Sequence, residues 1–333
     1  MRFLLRRLGF FVLTLWAALT LNFFVPRFMP GDPVAALTAR TRGRVSRDAL
    51  EQMLTSFGYK PDQNLFVQYV EYLGNMFTGD WGRSIGGQLG EPVTGLIGQA
   101  LPWTLGLVGI TTVLAFALGT MIGTVAGWRR GGWLDSLLPP VFVVTSALPV
   151  FWVALMLIFA FSMNAGSVLP GTFNYDNSIV PGFSPGFVGS VLQHAVLPAA
   201  TLLITLIGGW ILTMRNNMIT TLAEDYVRMG RAKGLSPRRV MYGYAARNAV
   251  LPNLTGFAMS LGFVVSGAVL IEFVFSYNGV GYLFYNSVQN VDYPLMQALF
   301  MLFTVAVLAA LLIVDIATVW LDPRARSADA GGR

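Results

Sequence analysis

No cysteine occurs in the sequence, which excludes disulfides and thiolate chemistry. Histidine occurs once, as His194, so neither a multi-histidine metal centre nor paired-histidine catalysis is available. Lysine is limited to Lys60 and Lys233, and the other twenty of the 22 basic residues are arginine. Charge of either sign makes up only 11% of the chain, against about 25% in soluble domains. A phosphate-binding loop is missing as well. That loop needs a lysine followed by Ser or Thr, whereas Lys60 precedes Pro61 and Lys233 precedes Gly234. Whatever energy source the protein uses, it does not hold it in a site of that kind.

What is abundant is apolar. Hydrophobic residues form 55% of the 333 positions, aromatics 13%. A soluble chain of this composition would expose large sticky patches, so the chain is a membrane protein. A helix needs about 20 mostly apolar residues to cross the hydrocarbon core. Six segments qualify: Leu8 to Phe28, Leu101 to Trp128, Ser136 to Met163, Ala195 to Met214, Leu251 to Phe275 and Leu295 to Trp320. Length without strict alternation makes them helices. The expected fold is an all-α integral membrane protein with six transmembrane helices. Arg2, Arg6 and Arg7 precede the first segment as in a signal peptide, but its apolar core is too long and no small-residue cleavage site follows. It is expected to stay as an anchor.

Basic residues near the span ends set direction. Fifteen fall on one side, among them Arg129, Arg130, Arg215, the cluster from Arg228 to Arg247, and Arg324, Arg326 and Arg333; seven fall on the other, all between Arg27 and Arg83. Both termini are therefore expected in the cytoplasm. Residues 30–100 are too long for a plain connector. Ser46 as a cap, with Asp48 and Glu51 behind it and Gly58 as a stop, predicts one helix. A second is predicted over Asp62 to Phe77, with Leu65, Phe66, Tyr69, Val70, Leu73 and Phe77 on its apolar side. Together they predict a small extracytoplasmic helical subdomain, so the chain divides into 1–29, 30–100 and a five-span core, 101–333. Asn164 to Gln193 is rich in Gly, Pro, Ser and aromatics and is expected to be irregular.

One stretch concentrates the scarce charge. EDYVRMGRAKGLSPRRV, residues 224–240, holds seven charged side chains in seventeen positions between two apolar spans. A helix is predicted from Leu222 to Lys233, acidic at its start with Glu224 and Asp225, basic at its end, and stopped by Gly234. Ser236 and Pro237 then open another. Two short helices about a glycine elbow suit a docking surface. A solvated basic loop that only fixes orientation has the same residue types.

This stretch, with RNAVLPNLT after it, resembles the cytoplasmic loop of ABC importer permeases, specifically the dipeptide/oligopeptide/nickel family with its DYVRxARAKGL-type loops. PGDP, GDWGRS, RRGGWLD, EFVFSYNGVG, DYPLMQ and LDPRAR follow in the family's order along nearly the whole chain. Arg228-Met229-Gly230 stands where other ABC permeases carry Glu-Ala-Ala, Gly230 where relatives usually have Ala, and Asn278 where they often have Pro. The resemblance implies that residues 222–248 lodge in a cleft of an ATPase subunit. The residues implied are Glu224, Asp225, Tyr226, Arg228, Gly230, Arg231, Ala232, Lys233, Gly234, Leu235 and Ser236. It also implies the partners: a homologous second permease, two ABC ATPase subunits carrying ATP and Mg, and an extracytoplasmic binding protein, in the surrounding lipid. This chain would bind no cofactor and no nucleic acid and would not be an enzyme. Oligopeptide is the expected cargo across the inner membrane, with oligosaccharide or a nickel chelate as alternatives.

Carboxylates in lipid cost at least about 2.5–3.5 kcal/mol and so face a partner or cavity. Glu272, with Asn278 nearby in sequence, is either wall or outer gate of the pathway, or Glu272 is bonded to the SYNG turn after it. Asp315 is expected to pair with an arginine. His194 is expected at the interface. Ala115, Gly119, Gly123 and Gly127, at every fourth position, predict close helix packing. Trp103, Trp128, Trp133 and Trp320 suit interfacial anchoring. An ion-coupled secondary transporter would show broken helices at matching places in two halves, and an intramembrane enzyme a nucleophile–base pair; the sequence shows neither.

Overall fold

A computed structural model describes residues 2–29, 31–40, 45–57, 60, 63–163 and 168–321; of residues 2–7, 40, 47, 56, 143, 144, 146 and 315–321 it describes the backbone only. Asp315, Trp320, Gly58 and Asp62 thus lie outside the described side chains or residues. The chain forms two compact units: Met1–Thr104 with Val265–Val269 and Asn278–Arg333, and Leu105–Val264 with Leu270–Tyr277.

In the first unit, α1 (Arg2–Phe28) runs along α16 (Tyr293–Leu321). Three short helices follow α1: α2 (Pro33–Arg40), α3 (Arg47–Ser56) and α4 (Leu65–Thr78). The capping signal at Ser46 has a direct physical form. Ser46 Oγ accepts from the Ala49 amide at 3.3 Å, and Asn64 Oδ1 from the Phe66 amide at 2.8 Å. Gly79 ends α4 at φ 80°. The α2 helix has no counterpart in the sequence reading. It closes a small core of Val34, Leu37, Leu50, Leu54 and Ile85.

The face assigned to α4 needs correction. Tyr72 and Met76 are the buried residues, packed with Leu19 and Phe23 of α1, while Phe66, Val70 and Phe77 are exposed. Tyr69 and Leu73 of the expected face do pack against this cluster, so the buried face is rotated from the expected one and not opposite to it. The turn after α4 is held by Ser84 N–H to Glu91 O (2.9 Å) and Val93 N–H to Gly82 O (3.1 Å). It leads into α5 (Val93–Thr104), whose Val93, Leu96, Ile97 and Ala100 pack against Val280 of α15 (Val280–Gln289) and Leu295, Ala298 and Leu299 of α16.

Two of the motifs read from sequence, GDWGRS and DYPLMQ, meet at one carboxylate. Asp292, fully buried, accepts from the Ser84 hydroxyl and from the amides of Ile85 (3.2 Å), Gly86 (3.1 Å) and Leu295 (3.4 Å). Burial pushes its carboxyl above the usual range, against the downward pull of these donors. Gly86 is small for a reason: a Cβ there would lie 2.8 Å from Asp292 Cβ.

In the second unit, α6 (Ile110–Trp128) lies against α9 (Pro185–Leu222). The small-residue stripe makes this seam. A Cβ on Gly119 would sit 2.6 Å from Trp210 Cβ, one on Gly123 2.5 Å from the Ile211 carbonyl, and one on Gly127 2.6 Å from Met218 Cβ. Gly123→Val is expected to prevent this docking and to reduce the amount of folded protein recovered from membranes several-fold, measured by size-exclusion of the detergent-extracted chain.

Among the described residues, four helices are long and apolar enough to cross a membrane: Leu8–Phe28, Val93–Trp128, Pro185–Leu222 and Tyr293–Val314. The chain is an all-α multi-pass membrane protein. The third and fifth expected spans are each built from two shorter helices. The third is α7 (Trp133–Ala147) and α8 (Val150–Ile158), separated by Leu148 and Pro149 in extended conformation; Pro149 lacks an N–H and pushes its predecessor out of the helical region. The fifth is α13 (Leu251–Val264) and α14 (Val269–Val274), with Gly267 at φ 71° in between. The fourth span begins ten residues before the expected start. Ser184 Oγ caps α9 by accepting from the Phe187 amide at 3.2 Å, with Pro185 in its first turn.

Candidate functional site

The charged stretch between α9 and α13 folds as an elbow. α9 stops at Leu222, and Glu224 turns extended (ψ 145°) before α10 (Asp225–Ala232), so the helix predicted from Leu222 is interrupted at its first turn. α10 buries Val227 and Gly230, three positions apart, and exposes every charged residue it carries. Its end is a Schellman motif: the Leu235 amide donates to Gly230 O (3.4 Å) and the Gly234 amide to Arg231 O (2.9 Å). Gly234 sits at φ 71°, with open space where a Cβ would project. Glycine is required there by backbone conformation and not by crowding.

Past the elbow the chain is helical from 237 to 249, as α11 (Pro237–Arg239), a π-helical stretch (Val240–Ala246) and α12 (Arg247–Ala249). Ser236 stands at the N-cap position, but its side chain makes no cap bond, which corrects the role expected of it. Val227 packs with Val240, Met241, Ala245 and Ala249 onto Met214 and Met218 of α9, and Leu235 and Tyr244 close the edge. The elbow thus has an apolar underside fixed to α9 and an outer surface of Glu224, Asp225, Tyr226, Arg228, Met229, Arg231, Ala232, Lys233 and Ser236, all exposed. Arg228 lies 3.7 Å from Asp225, one turn back, with both side chains well solvated. Such a pair stabilises little and leaves both charges available.

Gly230 is buried, yet a Cβ there would rest 3.5 Å from the Tyr244 ring, an ordinary contact. Gly230→Ala is therefore expected to fit and to stabilise α10 by about 1 kcal/mol, with no loss of activity; slower proteolysis in the loop at unchanged activity is the check.

Two contacts beside the elbow escaped the sequence reading. The Arg231 guanidinium lies 5.4 Å above the Trp128 ring, so Trp128 serves as a platform for α10. Asp135, in the RRGGWLD motif, bonds Arg215 and accepts from the Gly131 amide at 2.8 Å. The signal for it was the single acid in that motif, facing an arginine at the end of the fourth span. The Arg215 hydrogen bond and then the Gly131 amide hold the Asp135 carboxyl below the usual range, against a smaller opposing effect of burial. Its folded pKa is below the unfolded value of about 3.9, so this contribution to stability is complete above that pH and is lost as pH falls through the folded value. Asp135→Asn is expected to cost about 1–3 kcal/mol at neutral pH and to flatten the acid limb of the unfolding midpoint, followed by thermal melts from pH 7 to pH 3.

The remaining candidates do not join the elbow. Glu272 is fully buried in the second unit, and its carbonyl accepts from the Tyr277 amide at 2.7 Å, closing the SYNG turn. Asn278 is exposed and belongs to the first unit. His194 lies within α9, its Nδ1 2.8 Å from the carbonyl of Ser190 one turn earlier. No group of three metal-ligating side chains occurs among the described residues.

Residues 119–327, which contain the elbow, match the family described as binding-protein-dependent transport system inner membrane component. The chain belongs to that family. The permease is 33% identical over 304 residues to the oligopeptide transport system permease protein of Bacillus subtilis, covering 91% of this chain and 92% of the relative. It is 32% identical to the di/tripeptide transport system permease protein of Pseudomonas aeruginosa (97% and 98% covered). With the dipeptide transport system permease protein of Escherichia coli the figures are 30% identity and 98% and 99% coverage. Components of this class work with a substrate-binding protein and with separate ATPases, so the permease is the membrane part of a larger importer.

Proposed function

We propose that this permease is one of two homologous membrane subunits of an importer that moves oligopeptides across the cytoplasmic membrane. Both of its termini face the cytoplasm. ATP and Mg act on two partner ATPase subunits, and residues 222–248 relay their cycle to the spans. The observation that carries the cargo class is the peptide specificity in the names of relatives aligned over more than nine-tenths of both chains. The docking role is supported by the elbow itself, with its apolar underside anchored and its charged surface outward. Residues 30–100, between the first two spans, face the binding protein in this reading. Glu272 keeps a place in the pathway wall as part of the same proposal.

Proteoliposomes holding the assembled complex test it. ATP with the cognate binding protein should drive uptake of a labelled tripeptide, and unlabelled oligopeptides, but not maltotriose, should compete. Uptake that persists without the ATPase subunits, driven by an ion gradient, would mean a secondary transporter. Reporter fusions at Gly131 and after Leu321 should read cytoplasmic and one at Thr172 external.

A further inference from the structure

The span Val93–Trp128 ends in a turn whose positive charge has no local balance. The turn reads WRRGGW over residues 128–133, and the side chains of Arg129 and Arg130 are both exposed. Among the described residues, no carboxylate forms an ion pair with either arginine. The one acid nearby in sequence, Asp135, is held by Arg215 and the Gly131 amide, and Arg130 is the weakest of the influences on it. A third guanidinium adds to the excess, since Arg231 of α10 lies over the ring of Trp128. Like charges gathered in one place repel unless an anion joins them. The end of a span is also the depth of lipid headgroups, and Trp133, 72% exposed, is a side chain suited to that depth.

Both helices that meet at the turn carry an exposed apolar stripe leading away from it. On α6 the stripe is Leu114, Leu118 and Met121, opposite the glycines that face α9. The same helical face continues from Met121 through Val125 to Arg129. On α7 the stripe is Trp133, Leu137 and Val141. A second protein chain laid on these stripes would have to bring a buried anion for each arginine. A phospholipid carries anion and hydrocarbon already joined. A zwitterionic one would also bring an ammonium group, for which the turn offers no unpaired carboxylate.

We infer that the turn between α6 and α7 binds an anionic phospholipid of the phosphatidylglycerol type. Its phosphodiester is held by Arg129 and Arg130, whose planar guanidiniums match phosphate oxygens. Its glycerol backbone lies at Trp133, and its acyl chains run along the stripes of α6 and α7. Arg231 brings α10 to the edge of the same headgroup. The inference rests on the membrane placement of α6 and is independent of the cargo.

The test is native mass spectrometry of the purified complex in detergent, titrated with phosphatidylglycerol, phosphatidylcholine or glycerol 3-phosphate. Phosphatidylglycerol should be retained in preference to phosphatidylcholine and should resist a large excess of glycerol 3-phosphate. Arg129→Gln with Arg130→Gln should weaken retention by about tenfold or more, each arginine near an anionic surface being worth roughly a fivefold change. Arg238→Gln with Arg239→Gln removes the same charge from exposed positions elsewhere and should leave retention within about twofold of wild type. Should the first pair assemble poorly, Trp133→Gln, at an exposed position, must still weaken retention. Equal loss in the two arginine pairs, equal retention of phosphatidylcholine, or displacement by glycerol 3-phosphate would overturn the assignment. So would a complex that retains no phosphatidylglycerol, the result expected if another protein chain covers this face.

Discussion

Gly234→Val is expected to leave the permease at its normal level in the membrane and to abolish uptake. The change adds no steric clash, because nothing lies within 4 Å of the position a Cβ would take. Its effect comes through the backbone. Gly234 holds φ 71°, a region that costs an ordinary residue about 1–2 kcal/mol and a β-branched one more. Relief requires breaking the two hydrogen bonds of the Schellman motif, which re-aims α10 relative to residues 237–249. Span insertion depends on apolar length and flanking charge and is untouched. A series separates the causes. Gly234→Asn, which tolerates the left-handed region, should keep most uptake; Gly234→Ala should fall between; valine should lose coupling, with ATPase activity no longer stimulated by loaded binding protein. Normal stimulation and uptake in the valine variant, with ATPases attached, would reduce the elbow to an orientation-setting loop. Arg231→Ala is expected to act differently from Arg228→Ala, since Arg231 also covers Trp128.

Removing the carboxylate of Asp292 should have the largest effect on folding. Asp292→Ala leaves the Ser84 hydroxyl and the Ile85 and Gly86 amides buried without an acceptor. At about 1–3 kcal/mol for each of the three stranded donors the loss is roughly 3–9 kcal/mol, a large share of the 5–15 kcal/mol that holds a typical protein folded. The expected result is little protein surviving extraction, with a sharply lower melting temperature in what remains. Asp292→Asn keeps one acceptor oxygen but turns an N–H₂ toward other donors, so it should rank between alanine and wild type. Ser84→Ala removes a donor and leaves the backbone amides on the carboxylate; about 1 kcal/mol is expected. If alanine at 292 melts as wild type does, the two motifs are joined by something other than this carboxylate.

The elements that sequence reading located are those whose cause is local. Apolar length found α1, α6, α9 and α16, the Ser46 cap found α3, and Gly234 marked the elbow because a left-handed residue is a property of three or four neighbours. Its errors share a cause as well. Which face of α4 is buried was set by Leu19 and Phe23, more than forty residues away. The break at Pro149 was a local signal that the run of apolar residues around it masked. Ser236 looked like a capping residue by type, but its hydroxyl does not turn toward the helix. The Asp292 cradle needed a pairing across more than two hundred residues, and no spacing rule reaches that far. The motifs on both sides were visible; their meeting was not.

One consequence of α9 concerns mechanics. Its 38 residues form an unbroken rod about 57 Å long, nearly twice the thickness of the hydrocarbon core. α10 is joined to its end through only Ala223 and Glu224, and Met214 and Met218 are clamped under the elbow. Under the proposed docking role, a displacement of α10 would be passed to α9 as tilt. Over this length a tilt of about 5° carries the opposite end sideways by about 5 Å, as far as one helical turn is long. Pro198, inside the rod, lacks the amide that would stiffen it and marks where it bends first. Lever arm and flexure point are thus both written into one helix.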